Sequence, residues 1–163
     1  MDNNTNPLFD VIDVENLFQA WHPDVRKFTA NLNQDCVLNI IKESKVTTFD
    51  TSAVQQILNL ANTKQCQQIL DRILKEKNTT NFINLLKERD TIFPRNINRE
   101  YSIEKILEST KKDNYHPILF LNLNSIYYII DGRTRFYCCL FYNLPAKVRV
   151  ISDFEVKEIC NFL

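Results

Sequence analysis

Glycine is almost missing from this sequence, which contains one glycine, Gly132, in 163 residues. At the usual frequency of about 7%, a chain of this length would contain about eleven. Low-complexity linkers and internal repeats are missing as well. The one retained glycine predicts that position 132 needs a backbone conformation that other residues adopt only at a cost.

Long apolar runs and a net charge are also missing. No apolar run approaches the ~18 residues that a membrane span needs, and the first ten residues lack the pattern of a secretory signal. Lysine and arginine total 20, as do aspartate and glutamate, so the formal net charge is zero. We therefore expect no membrane partner, and any DNA contact must come from a local basic patch and be weak for the chain alone.

The cysteines show no metal-binding or redox spacing, since none forms a CxxC or a Cys/His zinc pattern. Their number is odd, which indicates a reducing environment, so we expect an intracellular location, nuclear or cytoplasmic. All five are interpreted as small buried hydrophobic residues. They are Cys36, Cys66, Cys138, Cys139 and Cys160.

The chain from about residue 14 to residue 88 is predicted to be helical. Apolar residues recur at helical spacing over 54–61 and over 66–74. An earlier helix is predicted over 34–44, and Trp21 is interpreted as an anchor at a helix end.

The pattern changes after about residue 82, where prolines appear and strand-like runs alternate with short helices. The predicted elements are strands over 118–123, 126–130 and 147–151, a turn at 124–125, a helix over 134–142 with Asn143 after it, and an amphipathic tail over 154–163. The expected fold class is α+β, with a helical N-terminal region, residues 1–81, followed by a small mixed α/β domain, residues 82–163.

The most informative stretch is a strand that ends at Asp131-Gly132 and leads into a helix beginning at Arg133 or Thr134. Amide groups at a helix start carry partial positive charge, and a glycine lets an anion approach them closely. Arg133 and Arg135 add two guanidinium groups, so the stretch is a candidate phosphate-binding turn. The alternative is a tight turn whose arginines pair with Asp131 and nearby glutamates.

The order of these segments resembles the ParB/sulfiredoxin superfamily. Members combine a Pro-Arg segment, a short helix, a Pro-Ile strand, a second strand leading into an Asp-Gly-x-x-Arg turn, a helix and a final strand. The matching segments are Pro94-Arg95, 103–109, His116-Pro117-Ile118, 127–130, 131–135 and 146–151. The resemblance covers about residues 82–152, and residues 1–81 have no recognised counterpart.

This resemblance implies a nucleotide or phosphate pocket at the turn, with Arg135 contacting phosphate and Gly132 supplying the backbone. Sulfiredoxins need a catalytic cysteine directly after the glycine, where this chain has Arg133, so sulfinic acid reduction is not expected. The Glu-Arg pair of chromosome-partitioning ParB proteins and the His pair of kinase-like members are also replaced. The predicted phosphate or nucleic-acid contacts are Asp131, Gly132, Arg133, Thr134, Arg135, Arg95, Lys111 and Lys112.

Other candidate groups carry no recognisable chemistry. The two histidines, His22 and His116, belong to no Ser/His/Asp or metal pattern, so we predict no catalytic residue, metal or cofactor. Lys111 and Lys112 end a predicted helix, where cations suit the helix dipole and also suit a DNA backbone. The aromatic residues of 127–142 are interpreted as core and protein interface rather than as a base-stacking surface.

Three functions remain open. The favoured one is a non-catalytic accessory subunit that binds DNA and a catalytic partner protein. The alternatives are a nucleotide-triphosphate-binding enzyme or switch that uses Gly132 and Arg135 with Mg²⁺, and a structural subunit with a vestigial pocket. With 19 asparagines and an altered motif, the chain is also similar to the small non-catalytic ParB-like subunits of ciliate DNA adenine methyltransferase assemblies. That similarity implies a methyltransferase complex.

Overall fold

The computed structural model describes residues 23–51, 58–59, 64–92 and 102–160. The helices in these ranges are α1 (Pro23–Thr29), α2 (Gln34–Glu43), α3 (Lys64–Lys75), α4 (Thr79–Ile92), α5 (Ile103–Lys111), α6 (Arg133–Phe141) and α7 (Asp153–Cys160). The strands are β1 (Val46–Phe49), β2 (Leu58–Asn59), β3 (Ile118–Leu123), β4 (Ile126–Asp131) and β5 (Ala146–Ser152). The fold is mixed helix and sheet, consistent with the predicted α+β class.

The strands listed above form one mixed sheet in the order β1-β5-β3-β4-β2. β3 and β4 are an antiparallel hairpin, and β3 pairs in parallel with β5. β1 is antiparallel to β5 at one edge, and β2 is parallel to β4 at the other. α6 carries the chain from β4 past β3 to β5, so the first turn of α6 lies where β4 ends.

Helices cover both faces of the sheet because the central strands alternate apolar side chains to either side. Ile118 and Phe120 of β3 join a cluster that includes side chains of α3, α4, α5 and α6. Leu119 and Leu121 join a second cluster, which includes side chains of α1, α2 and α7. None of these four side chains is more than 4% exposed.

Most predicted elements of the C-terminal region are confirmed, together with their turns. The predicted strands correspond to β3, β4 and β5, and the predicted helix over 134–142 corresponds to α6. Asn124 and Ser125 have φ angles of 53° and 68°, which suit a two-residue hairpin turn. Asn143 follows α6 with a φ of 54°, the left-handed conformation that commonly ends a helix.

The N-terminal predictions are only partly correct. The helices over 34–44 and 66–74 are confirmed as α2 and α3, but Val46–Phe49 forms β1. Its Val-Thr-Thr run is β-branched, and pairing with β5 overrides the helical interpretation.

The helix predicted over 54–61 is wrong at Leu58, which lies in β2 opposite Tyr127. Helical spacing of apolar residues therefore did not distinguish an edge strand from a helix here. The rest of that prediction lies outside the described residues, as do Trp21 and His22.

The division expected between residues 81 and 82 falls inside α4. Both hydrophobic clusters take residues from either side of it. Ile69 packs in the same cluster as Phe120, and Val37 packs in the same cluster as Leu121. The two parts of the chain thus share their cores.

Cys36 and Cys160 form a disulfide between α2 and α7, with their Cα atoms 5.7 Å apart. Cys160 is buried in the second apolar cluster and Cys36 packs partly buried against it, but these two are not free thiols, as the interpretation of all five cysteines had assumed. The sequence gives no local sign of the pairing, because the two residues are 124 positions apart. Cys138 and Cys139 are free and buried, as predicted. The Cys36–Cys160 disulfide removes the support that the odd number of cysteines gave to a reducing compartment, because disulfides are typical of oxidising compartments.

None of the helices in the described ranges combines the length and apolar character that crossing a bilayer requires.

Candidate functional site

The turn between β4 and α6 is built around Gly132. Its φ of 96° and ψ of 28° lie in the left-handed region, which confirms the prediction of a special backbone at this position. The first α-helical hydrogen bond runs from the Phe136 N–H to the Gly132 carbonyl oxygen, at 2.9 Å. The Thr134 amide therefore precedes the helical hydrogen-bond ladder and has no acceptor within the helix.

Arg135 folds back over this glycine. A Cβ atom at position 132 would lie 2.9 Å from Nη2 of Arg135, so the guanidinium covers the space that a side chain would occupy. Nη2 lies 3.3 Å from Oδ2 of Asp131, and Nη1 donates to the His116 carbonyl oxygen at 2.5 Å. The Arg135–Asp131 pair is one that the tight-turn alternative expected, and the bond to His116 also fastens the turn to the segment before β3.

Arg89 approaches the same turn from α4. Its Nη2 donates to Oγ1 of Thr134 at 2.6 Å and to Oδ1 of Asp90 at 2.7 Å. The guanidinium carbon lies 5.5 Å from the centre of the Tyr137 ring. The residue is only 7% exposed, and its Nη1 is buried with no hydrogen-bond partner in the described structure.

The packing of α4 against α6 explains this placement. Phe82, near the start of α4, stacks on Phe141 at the end of α6, with ring centres 4.2 Å apart. Arg89, seven residues later, meets Thr134, seven residues earlier. The two helices therefore run antiparallel, and α4 delivers a guanidinium to the N-terminus of α6.

Sequence reasoning did not select Arg89 as a site residue, although a signal was present. Phe82, Leu85, Leu86 and Arg89 recur at helical spacing, and the three apolar members are buried. An arginine in the continuation of an apolar stripe is unusual, because charged residues are rarely buried without a partner. That pattern marks Arg89 as a residue whose charge has a local role.

The other predicted contacts are dispersed. Lys111 and Lys112 are exposed at the C-terminal end of α5, where Lys111 Nζ lies 5.8 Å from the Tyr142 ring and Lys112 pairs with Glu108 at 3.1 Å. Tyr142 caps the far end of α6, nine residues or about 13 Å along the axis from Arg133. The lysines are therefore separated from the turn.

Two further arginines, Arg95 and Arg149, are not among the residues that the structure places at the turn. Arg95 lies outside the described residues, so its predicted contact has no structural description. Arg149, on β5, donates to the Ser44 carbonyl oxygen beside β1. Arg149 therefore links β5 to the segment before β1 and is not part of the turn. The arginines described at the turn are Arg89, Arg133 and Arg135.

The thiols of Cys138 and Cys139, which lie in α6 and are buried, are protonated at neutral pH. Burial raises the pKa of Cys138 to about 12, and burial also raises the pKa of Cys139. Sγ of Cys139 donates to Oη of Tyr115 at 3.5 Å, and burial raises the pKa of that tyrosine too. These groups are poor nucleophiles at neutral pH, because the thiolate is the reactive species.

The turn carries a small excess of positive charge. Arg89 pairs with Asp90 and Arg135 pairs with Asp131, while Arg133 is a third arginine in the first turn of α6, at the positive end of the helix dipole. This combination suits an anion better than a cation. Among the residues the structure describes, no cluster of three or more His, Cys, Asp or Glu side chains offers a metal site.

Comparison of the chain with protein-family models, with curated proteins and with solved structures gives no match.

Proposed function

We propose that this chain is a non-catalytic, ParB-like accessory subunit that binds a phosphate group of DNA at the β4–α6 turn, within a complex formed with a DNA-modifying catalytic partner. An adenine methyltransferase is the partner that the sequence resemblance suggests. A DNA-modifying partner of this kind would act inside the cell, so the proposed intracellular location rests on that partner and not on the cysteines. The observation that carries the proposal is a hydrogen bond at the start of α6, in which Nη2 of Arg89 donates to Oγ1 of Thr134 at 2.6 Å.

The chemistry of the turn supports a phosphate ligand. A helix N-terminus with a glycine before it favours a close-approaching anion, and the guanidinium group matches the geometry of phosphate oxygens. Arg133 is partly buried and is the first residue of α6. In this arrangement Arg135 holds the shape of the turn, while Arg133 and Arg89 contact the ligand.

The same residues support a role without catalysis. Arg133 stands where a sulfiredoxin-like enzyme would carry its cysteine, and Asp131 is engaged with Arg135 at 3.3 Å. The nearby thiols have raised pKa values and are buried. Among the residues that the structure describes around it, the turn therefore offers binding groups without an activated nucleophile or an uncommitted general base.

The test is fluorescence anisotropy of the full chain with a labelled DNA duplex at low salt. Arg133→Ala is expected to weaken binding by about three- to tenfold, because it removes one phosphate contact. The matched control is Arg72→Ala on α3, an exposed arginine that pairs with Glu88 at 3.1 Å, and it is expected to bind as the wild type does. Equal losses in both variants would point to nonspecific electrostatics and against this turn as the binding site.

A nucleotide triphosphate is the second candidate ligand, and the depth of Arg89 favours it. A guanidinium that is 7% exposed is reached more readily by a terminal phosphate than by a phosphodiester flanked by two sugars.

The test measures the melting temperature of the full chain with ATP, CTP or GTP and Mg²⁺. A nucleotide at about 100 times its Kd adds about 2.7 kcal/mol, which is several degrees for a chain of this size. A shift with one nucleotide, lost in Arg133→Ala, would replace the DNA proposal.

A further inference from the structure

We infer that Arg89 is itself an anion-binding residue of this turn, and that its Nη1 donates to an oxygen of the bound phosphate. The inference rests on the proposed phosphate-binding function and adds a ligand contact from α4, a helix outside the turn. The ligand chemistry is a phosphate oxygen, from either a DNA backbone or a nucleotide.

The guanidinium is fixed in place by three neighbours. Thr134 and Asp90 accept from Nη2, Asp90 also accepts from Nε at 3.3 Å, and the Tyr137 ring lies against the guanidinium carbon. Side-chain entropy is therefore already lost before a ligand binds. The one nitrogen left without a partner is Nη1.

An unpartnered guanidinium nitrogen is costly in this position. Leaving a buried donor without an acceptor destabilises the folded state, and more so when the group is charged. The neighbouring positions on this face of α4, Phe82, Leu85 and Leu86, are apolar and buried. An apolar residue at 89 would continue that stripe without the cost, so a structural role alone does not account for an arginine here.

The position of Thr134 connects this nitrogen to the anion site. Nη2 of Arg89 is bonded to the hydroxyl of the second residue of α6, whose amide lacks an acceptor within the helix. A phosphate has several tetrahedrally arranged oxygens, so one can accept from Nη1 while another accepts from the helix N-terminus. One ligand would then satisfy donors from both helices.

The experiment titrates the full chain with inorganic phosphate and with pyrophosphate at constant ionic strength, followed by amide NMR shifts. Arg89→Lys keeps the positive charge but loses the planar guanidinium with its several N–H donors, and it is expected to weaken phosphate binding at least tenfold. The matched control is Arg72→Lys, the same change at an exposed arginine on α3, which is expected to change affinity less than twofold. Thr134→Val, which removes the hydroxyl that positions Nη2, is expected to weaken binding severalfold while Arg89 is retained.

The outcomes separate this inference from the DNA proposal. If the wild type binds phosphate and Arg89→Lys binds it equally well, the inference is overturned and the DNA proposal survives. If phosphate binding depends on Arg89 but no duplex DNA binds, the inference stands and the DNA proposal fails. If the wild type binds neither probe, the inference is overturned. Should Arg89→Lys not fold by circular dichroism, Thr134→Val decides, and unchanged affinity in that variant counts against the inference.

Discussion

Gly132 and Arg135 form a pair in which each residue depends on the other. The glycine leaves a space beside its Cα atom that the Arg135 guanidinium fills, and the arginine in turn ties Asp131 to the His116 carbonyl oxygen. The retention of a single glycine in this sequence thus follows from backbone geometry and from packing together. The same pair limits the role of Arg135, because its guanidinium already bridges two segments.

Gly132→Ala is expected to lower the free energy of unfolding by about 1–2 kcal/mol. An alanine at a φ of 96° is strained, and its Cβ would displace the Arg135 guanidinium. Urea unfolding measures the change. Ser125→Ala is the control, since Ser125 already holds a side chain at a φ of 68°, and it is expected to change stability by less than about 0.5 kcal/mol. Equal effects in both variants would contradict this account.

The buried Cys138 thiol makes stability depend on pH. Its pKa is raised from 9.0 to about 12 by burial, so the folded state holds this proton more tightly than the unfolded state does. The resulting stabilisation is complete below about pH 9 and is lost as the pH rises from there toward 12, with a slope of up to about 1.4 kcal/mol per pH unit.

Relative to Cys138→Ala, the wild type is therefore expected to lose about 2 kcal/mol between about pH 8 and pH 10.5. Urea unfolding of both proteins at each pH measures the difference, and the variant cancels the titration of other groups. A constant difference between the two proteins would show that this thiol does not titrate as its burial requires.

The sequence was more informative at Gly132 than at Arg89, and the reason is physical. A residue with unusual backbone freedom is recognisable by its type, because only glycine adopts that φ without strain. The burial of an arginine depends on which helix packs beside it, and that contact joins residues 45 positions apart. Local spacing can show an arginine on an apolar stripe, but it cannot show Thr134 opposite it.

Among the elements, the hairpin and the helix α6 were predictable because their signals are local. Asn124-Ser125 and Asn143 are residues that tolerate positive φ, and they mark the ends of β3, β4 and α6. β1 and β2 were not predictable in the same way, since both are short edge strands that depend on a distant partner. Val46 pairs with Arg149, so the information that makes β1 a strand lies in β5.

The disulfide between α2 and α7 is expected to contribute about 2–5 kcal/mol, because it closes a loop of 124 residues in the unfolded chain. Urea unfolding of the oxidised chain with and without a phosphine reductant measures this contribution. The double variant Cys36→Ser/Cys160→Ser is expected to be insensitive to the reductant. The unreduced, denatured wild type should also show two fewer thiols than the reduced protein, and an equal thiol count would contradict the pairing.

The arrangement of the chain as a unit explains how a neutral protein would hold the proposed anion site. α4 begins at Thr79, before the expected division at residues 81 and 82, and its later part brings Arg89 to the start of α6. The net charge of the chain is zero, and some charges elsewhere are paired, such as Lys112 with Glu108. The long-range field is therefore small, and binding relies on the geometry of one turn.

DNA binding by the isolated chain is consequently expected to have a shallow salt dependence. A site that neutralises one to three phosphates gives a slope of log Kobs against log salt of about −1 to −3, whereas a broad basic surface gives a much steeper one.

Arg133→Ala is expected to reduce the slope by about one. Lys111→Ala/Lys112→Ala is expected to leave it unchanged, because these lysines lie at the far end of α6 and Lys112 is paired with Glu108. Anisotropy titrations of duplex DNA at four or five salt concentrations measure each slope. A wild-type slope steeper than about −5 would contradict a site of this size. A slope reduced by the lysine variant instead of by Arg133→Ala would place the DNA contact at the C-terminal end of α5.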